Sequence, residues 1–363
     1  MIRSTFTRLA TLAIGLSMVL AAPALAAPVV TEGDVVVRNF RFQSGETLPD
    51  LRLHYRTLGE PRRDASGRVV NAVMILHGTG GSGAQFLRPQ FADVLFRPGG
   101  PLDPAKYYII LPDGIGHGGS SKPSDGLRAH FPAYDYDDMV EAQRRLLVDG
   151  LKVDHLRLIM GTSMGCMHAF VWGEAHPDFA DALMPLACLP TEIAGRNRVW
   201  RKLAMDGIRA DPAWLGGDYA EQPLQGLRTA QSLLMLAGGA PMPMQRELAG
   251  RAAADAWVEQ GMAAALPRLD ANDLWFQINA SRTYDPSAGL ERITAPVMWV
   301  NSADDFINPP ELGLAETFAP RIKRGTYVLL PNSADGHGHG THTWAAFWQD
   351  RLAALLKASE PRP

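Results

Sequence analysis

The chain has 363 residues, of which 46% are hydrophobic and 20% charged, as is usual for a globular protein with a substantial core. This length allows one large domain with an insertion, or two domains. The formal net charge of −3, without a basic tract, argues against a nucleic-acid partner and against binding to an anionic membrane.

Residues 1–26 have the features of a cleavable secretory signal peptide. Arg3 and Arg8 supply positive charge, residues 9–22 form a short apolar run, and residues 24–26 (ALA) form a small-residue cleavage site. We therefore expect cleavage after Ala26 and a periplasmic or secreted protein with no stable membrane insertion afterwards. An uncleaved anchor is the alternative, but the apolar run is short for a span of roughly 20 residues.

Short apolar runs along the chain predict strands, and helical patterns separate most of them. The first two runs are expected to pair antiparallel, and the later ones to form buried parallel strands. The predicted strands are residues 35–40, 51–56, 72–76, 107–111, 156–160, 182–187, 297–300 and 327–330. Residues 137–148 show the clearest helical pattern. This alternation predicts an α/β fold with a mostly parallel, doubly wound sheet.

A glycine-rich loop, residues 77–83 (HGTGGSG), follows the third predicted strand. Glycines allow the backbone to approach a ligand closely. The loop lacks the Lys-Ser/Thr ending of a phosphate-binding loop. We expect the N–H of Thr79, directly after His-Gly, to donate to a bound ligand.

Residues 161–165 (GTSMG) form a G-x-S-x-G motif between a predicted strand and a predicted helix. In that context the motif predicts the nucleophile elbow of an α/β-hydrolase fold. The turn strains the serine backbone, and Gly161 and Gly165 must be small because strand and helix crowd them. Ser163 is the predicted nucleophile, and the N–H groups of Met164 and Thr79 are the predicted oxyanion-hole donors.

The sequence contains two cysteines, Cys166 and Cys188. The first begins the elbow helix and the second follows the next predicted strand, so both should lie near one edge of the sheet. An exported protein could join them in a disulfide. We favour two buried thiols that pack as small apolar side chains.

Residues 191–290 lack a predicted strand and show helical periodicity interrupted by Gly and Pro. The segment is too long for an ordinary connection. We interpret it as a helical cap over the active site, inserted between two parts of the core, residues 27–190 and 291–363. Its methionines either line an acyl pocket or fill a core: Met205, Met235, Met242, Met244 and Met262.

A serine nucleophile needs a base and an orienting carboxylate, which in this fold follow in the order Ser, Asp or Glu, His. The loop after the strand at 297–300 contains two candidate acids. Asp305 has the better spacing, with a D-x-x-x-P pattern that ends at Pro309, and Asp304 is second.

The loop after the last predicted strand contains three candidate bases. His339 is the first choice and His342 the second, while His337 lies farthest from the final helix predicted at 344–355. Three histidines also suggest a metal site, but no acidic or cysteine ligand set accompanies them. We expect neither a metal nor a cofactor.

Several segments together resemble the homoserine O-acetyltransferase family of α/β-hydrolases, from about residue 51 to the final helix. The matching segments are GTSMGCMH at 161–168, FP at 131–132 with DDMVEAQ at 137–143, ADPAWLGGDY at 210–219, and the acid and histidine segments at 305–309 and 338–339. The resemblance implies a triad of Ser163, Asp305 and His339, and a helical cap.

Two departures from that family bear on the substrate. The family's cap arginine, which binds the homoserine carboxylate, corresponds to an apolar residue in residues 205–208 (MDGI), and its aspartate after the histidine corresponds to Gly340. The loss of both charged anchors argues against an amino-acid acceptor. Nearby cations that offer a substitute anchor are Arg196, Arg198, Arg201 and Lys202.

Export would separate the protein from cytoplasmic acetyl-CoA and leave water as the acyl acceptor. We therefore expect a serine hydrolase that cleaves a small-molecule carboxylic ester through an acyl-enzyme; amides and lactones need the same catalytic groups. One alternative is an acyltransferase related to the homoserine enzymes but with a different acceptor. Another is a non-catalytic binding protein on a hydrolase scaffold. The sequence is compatible with a monomer and with a homodimer.

Overall fold

The computed structural model describes residues 29–360, so the predicted signal peptide lies outside the described residues. An eight-stranded sheet forms the centre of the molecule. Its strands are β1 (Val30–Arg41), β2 (Thr47–Leu58), β3 (Ala72–Leu76), β4 (Tyr108–Pro112), β5 (Leu158–Thr162), β6 (Leu183–Leu186), β7 (Val297–Ser302) and β8 (Gly325–Leu330). All eight predicted strands are present, and β1 and β2 are longer than predicted.

The strand order is β1-β2-β4-β3-β5-β6-β7-β8. Strand β2 is antiparallel to both β1 and β4, and the neighbouring pairs from β4 to β8 are parallel. Because parallel strands need crossover connections, helices cover both faces of the sheet. The predicted mostly parallel, doubly wound sheet is confirmed.

The helices are α1 (Pro89–Leu95), α2 (Tyr136–Arg145), α3 (Met164–Ala175), α4 (Gly195–Ala210), α5 (Leu224–Gly238), α6 (Pro241–Glu247), α7 (Arg251–Ala265), α8 (Ala271–Asn279), α9 (Leu314–Phe318) and α10 (Gln349–Ala358). Trp172 of α3 is buried in the core on one face of the sheet. Phe91 of α1 and Trp348 are buried on the other. Among residues 29–360, none of the helices combines the length and apolarity that crossing a bilayer requires.

The segment between β6 and β7 contains α4 to α8 and short 3₁₀ turns, with no strand among its described residues. It has its own small apolar core, to which α4 contributes Ile208, α5 contributes Leu227 and α8 contributes Leu274. The segment is held to the sheet domain by polar contacts as well. The backbone N–H and the hydroxyl of Ser124 both donate to the Asp273 carboxylate of α8, at 2.9 and 2.6 Å.

The final helix differs from the prediction. It begins at Gln349 and ends at Ala358, whereas residues 344–355 were predicted. The backbone of Trp348 is non-helical (φ −139°, ψ 2°), and its indole is fully buried beside Phe91 of α1. Packing of this indole in the core therefore sets where the helix begins.

The prediction of two buried thiols was wrong, because Cys166 and Cys188 form a disulfide. Strands β5 and β6 are neighbours, and each cysteine lies just beyond the end of one of them. This adjacency places the two Cα atoms 5.8 Å apart, within the usual range for a disulfide.

Candidate active site

Ser163 lies in the turn between β5 and α3 with φ 54° and ψ −108°, a conformation that costs a non-glycine residue about 1–3 kcal/mol. A Cβ on Gly161 would overlap the carbonyl oxygen of Gly165, and a Cβ on Gly165 would overlap that of Leu76 in β3. The elbow therefore has the predicted strain, and both glycines are required by close contact.

The three side chains predicted as a triad form one chain of hydrogen bonds. The Ser163 hydroxyl and His339 Nε2 are 2.8 Å apart, and His339 Nδ1 and Asp305 Oδ2 are 2.9 Å apart. Since the carboxylate only accepts, the Nδ1–H donates to it, and Nε2 is free to accept the serine proton. The arrangement can deprotonate the hydroxyl as it attacks a carbonyl carbon.

The Asp305 carboxylate is buried and well supported. Its Oδ1 accepts from the N–H groups of Ile307 and Asn308, at 2.8 and 3.2 Å, and its Oδ2 accepts from the Asn308 side-chain amide at 3.0 Å. Burial alone would raise the pKa of Asp305, but the neighbouring His339 and these hydrogen bonds outweigh it and lower the pKa. Asp305 is therefore ionised.

The second-choice acid, Asp304, makes a different contact. Its Oδ2 accepts from the Gly338 N–H at 2.9 Å, which fixes the loop that contains His339. Gly338 has φ +57°, and a Cβ there would crowd the backbone of Gly239. Asp304 thus supports the histidine loop, while Asp305 contacts the histidine itself.

The other two histidines of the loop lie beside the site. His342 is buried edge-on to His339, with ring centroids 5.1 Å apart, and burial together with its neighbour lowers its pKa to about 3. His337 stacks on Trp344 at 3.9 Å. Within residues 29–360, His339 is the one of the three that accepts a hydrogen bond from the Ser163 hydroxyl.

The glycine-rich loop lies directly against the serine, since a Cβ on Gly78 would be 3.3 Å from the Cβ of Ser163. The Gly78 carbonyl accepts from the Nδ1–H of His77 at 2.9 Å and from the N–H of Gly81 at 3.0 Å. Because a trans peptide directs its C=O and N–H to opposite sides, the Thr79 N–H points away from these donors.

The N–H groups of Thr79 and Met164 both lack an acceptor within residues 29–360. Sequence reasoning missed the residue that holds this loop, His77. Its ring is buried, and its Nε2 accepts from the Gly114 N–H at 2.9 Å. Burial lowers its pKa, so the ring is neutral and donates only through Nδ1.

Ser163 and His339 border a cavity of about 910 Å³. The acid loop forms one wall, and residues from α4 to α6 form another, so the segment between β6 and β7 covers the serine. Of the five methionines considered for an acyl pocket, Met244 lines the cavity. Met205 and Met262 are buried in packing, and Met242 is exposed.

The four candidate cations of α4 occupy different environments. Arg201 is 3% exposed and lines the cavity. Arg196 also borders the cavity but is exposed and donates to a backbone carbonyl. Lys202 is exposed and pairs with Asp206, and Arg198 is half-buried away from the cavity lining.

The chain belongs to the α/β-hydrolase fold family, which it matches over residues 71–334. A probable acyltransferase of Methanothermobacter thermautotrophicus is 30% identical over 302 residues, covering 83% of this chain and 90% of the relative. A homoserine O-acetyltransferase of Thermobifida fusca is 27% identical over 332 residues, covering 81% and 86%.

Among solved structures, the acetyl esterase MekB superposes with a TM-score of 0.77 at 23% identity, covering 90% of this chain and 97% of the esterase. The protein is thus an α/β-hydrolase enzyme that resembles the homoserine O-acetyltransferases, with both acyltransferases and esterases among the proteins similar to it.

Proposed function

We propose that the protein is a serine hydrolase that cleaves carboxylic esters through an acyl-enzyme. The observation that carries the proposal is the hydrogen-bonded chain Ser163–His339–Asp305, which opens onto the cavity. An acyl-transfer mechanism needs a nucleophile, a base in contact with it and a fixed carboxylate behind the base, and all three are present in contact.

In the first half-reaction, the Ser163 oxygen bonds to the ester carbonyl carbon while His339 Nε2 takes the hydroxyl proton. The N–H groups of Thr79 and Met164 stabilise the negative charge on the carbonyl oxygen. The bond to the alcohol oxygen then breaks, and the imidazolium returns its proton to that oxygen. In the second half-reaction, water adds to the acyl-enzyme, His339 takes the proton of the water, and a carboxylic acid leaves as Ser163 regains its proton.

Water as the acceptor is supported by Gly340, which stands where the family has an aspartate after the histidine, and by export. We propose that the protein is exported after cleavage behind Ala26. The Cys166–Cys188 disulfide supports this location, because disulfides persist in oxidising compartments and are rare in the cytosol. Acetyl-CoA, a cytoplasmic metabolite, would then be out of reach.

The nucleophile assignment is tested with a fluorophosphonate probe. The mature protein should be labelled, and Ser163→Ala should not. Ser66→Ala is a matched control, because the exposed Ser66 hydroxyl donates to Asp64 in the loop before β3, outside the proposed machinery. No labelling of the wild-type protein, or equal labelling of Ser163→Ala, would show that the chain is a binding protein or uses another nucleophile.

Acyl transfer is the second candidate function, and the similarity to acyltransferases favours it. It is distinguished by supplying acetyl-CoA with and without homoserine, serine or simple alcohols. Faster CoA release in the presence of an acceptor supports transfer. Hydrolysis of simple esters, with CoA release independent of any acceptor, supports the hydrolase. A series of esters with graded acyl length then defines the acyl pocket.

A further inference from the structure

Arg201 is a buried cation without a carboxylate partner among the described residues. Its Nε–H donates to the Asn197 side-chain oxygen at 3.0 Å and its Nη1 to the Ser281 hydroxyl at 3.2 Å. Its guanidinium lies 4.7 Å from the ring centre of Trp200. The nearby Tyr136 hydroxyl stays neutral, because burial raises its pKa. Within residues 29–360, no carboxylate oxygen lies within 4.0 Å of the Arg201 guanidinium.

A buried guanidinium is costly unless its charge is compensated. Arg157, the other buried arginine among the described residues, has a structural role. It donates to the carbonyl of Leu356 and to the Ser359 hydroxyl at the end of α10, where the helix dipole is negative. Among the described residues, Arg201 contacts the end of α8 through the Ser281 hydroxyl, which itself donates to the Ile278 carbonyl at 2.8 Å, and it makes no direct hydrogen bond to a helix carbonyl. Within residues 29–360, its hydrogen bonds to the neutral side chains of Asn197 and Ser281 use two of its five N–H groups.

A negatively charged group that compensates Arg201 could lie in the cavity, because Arg201 and Ser163 both line it. The acidic side chains among the described lining residues do not pair with Arg201. Asp305 is bound to His339, and Asp304 to the Gly338 N–H. Glu192 and Glu311 are exposed to solvent.

We propose that Arg201 binds a carboxylate of the substrate, so that the ester cleaved at Ser163 is an anionic one. The inference rests on the proposed hydrolysis. A planar guanidinium pairs with a carboxylate through two parallel hydrogen bonds, and one buried cation balances one negative charge. A doubly charged phosphate would lack a second buried cation among the described lining residues.

The test compares esters that differ by a carboxylate against a carboxamide of the same shape. On the alcohol side the pair is meta-acetoxybenzoate and meta-acetoxybenzamide, and on the acyl side monomethyl glutarate and methyl glutaramate. We expect the wild-type enzyme to favour the charged member of at least one pair by about tenfold or more in kcat/KM. Preference for the neutral member of both pairs, or equal rates, overturns the proposal.

Variants assign the preference to Arg201. Arg201→Met, which keeps the length of the side chain, should bring the charged-to-neutral ratio of kcat/KM close to one, mainly through KM. Arg201→Lys, which keeps the charge but not the planar fork, should restore part of the ratio. Lys202→Met removes an exposed charge from the same helix and should leave the ratio unchanged. An unchanged ratio in Arg201→Met overturns the assignment.

Binding to Ser163→Ala by calorimetry keeps the proposal testable without turnover. Monomethyl glutarate and meta-hydroxybenzoate should bind, and methyl glutaramate and meta-hydroxybenzamide should bind at least about tenfold more weakly. Failure of all esters together with normal carboxylate binding would contradict hydrolysis but not the Arg201 site. Hydrolysis of neutral esters without carboxylate binding would contradict the site but not hydrolysis.

Discussion

At the scale of single residues, the three loop histidines differ in what surrounds them. His339 is the one in contact with the serine hydroxyl, whereas His337 stacks on an indole and His342 packs against His339. We predict that His339→Ala lowers kcat by roughly 10³-fold or more, as loss of a general base does. His337→Ala and His342→Ala should each cost less than about tenfold. Steady-state ester hydrolysis measures all three, and a comparable loss in His342→Ala would contradict the assignment of the base.

Asn308 is a second residue with a measurable role, and the sequence did not single it out. Its amide bridges the Asp305 carboxylate and the carbonyl of Ala187, each at 3.0 Å. Asn308→Ala would leave Asp305 with fewer donors and freer to turn from His339. We predict a fall in kcat of about 10- to 100-fold with little change in KM. This loss is smaller than the one expected for His339→Ala, because the general base itself is kept. A rise in KM at constant kcat would instead indicate that Asn308 contacts substrate.

At the scale of elements, we predict that the contact between α8 and the sheet domain is sensitive to pH. Burial is the main cause that raises the pKa of Asp273 to about 6, despite the two hydrogen bonds from Ser124. Because the folded state holds the proton more tightly than the unfolded state, this group stabilises the fold fully below about pH 4. That contribution is lost as pH rises towards 6.

Asp273→Asn should remove this dependence while keeping one acceptor and one donor for Ser124. We predict that wild-type protein loses about 1–3 kcal/mol more than the variant between pH 4.5 and pH 7.5, measured from urea unfolding. Asp206→Asn, at an exposed ion pair, is the control and should follow the wild type. Parallel curves for wild type and Asp273→Asn would show that the carboxyl is ionised throughout this range.

Sequence predicts best those elements whose structure is determined by their own residues. The parallel strands are continuous apolar runs because both faces of the sheet are covered, and β3 was predicted with its observed bounds. The elbow is equally local, since two glycines and one strained serine define it. Asp305 and His339 follow from chain order and loop position, and the structure places them in contact.

Features that depend on how distant segments meet were not predictable in this way. Four cations of α4 were equivalent in sequence, and the packing of the helix over the cavity distinguishes Arg201 by burial. His77 acquires its role through Gly114, which lies on another loop. The start of α10 depends on how the Trp348 indole packs in the core.

At the scale of the whole molecule, the disulfide connects the elbow helix to the strand beside it. The two cysteines are 22 residues apart, and closing a loop of that length stabilises a fold by roughly 3 kcal/mol in the chain-entropy model. We predict that the double variant Cys166→Ala and Cys188→Ala unfolds at a temperature several degrees lower than the wild type. Thermal unfolding with and without a reductant measures this difference.

The same experiment provides its own control and bears on location. A reductant should lower the unfolding temperature of the wild type and leave the double variant unchanged, because the variant has no disulfide to reduce. Titration of the denatured, unreduced wild-type protein should find no free thiol. Two free thiols in protein recovered from an oxidising compartment would contradict the disulfide. They would also remove its support for export, on which the choice of water over acetyl-CoA chemistry partly depends.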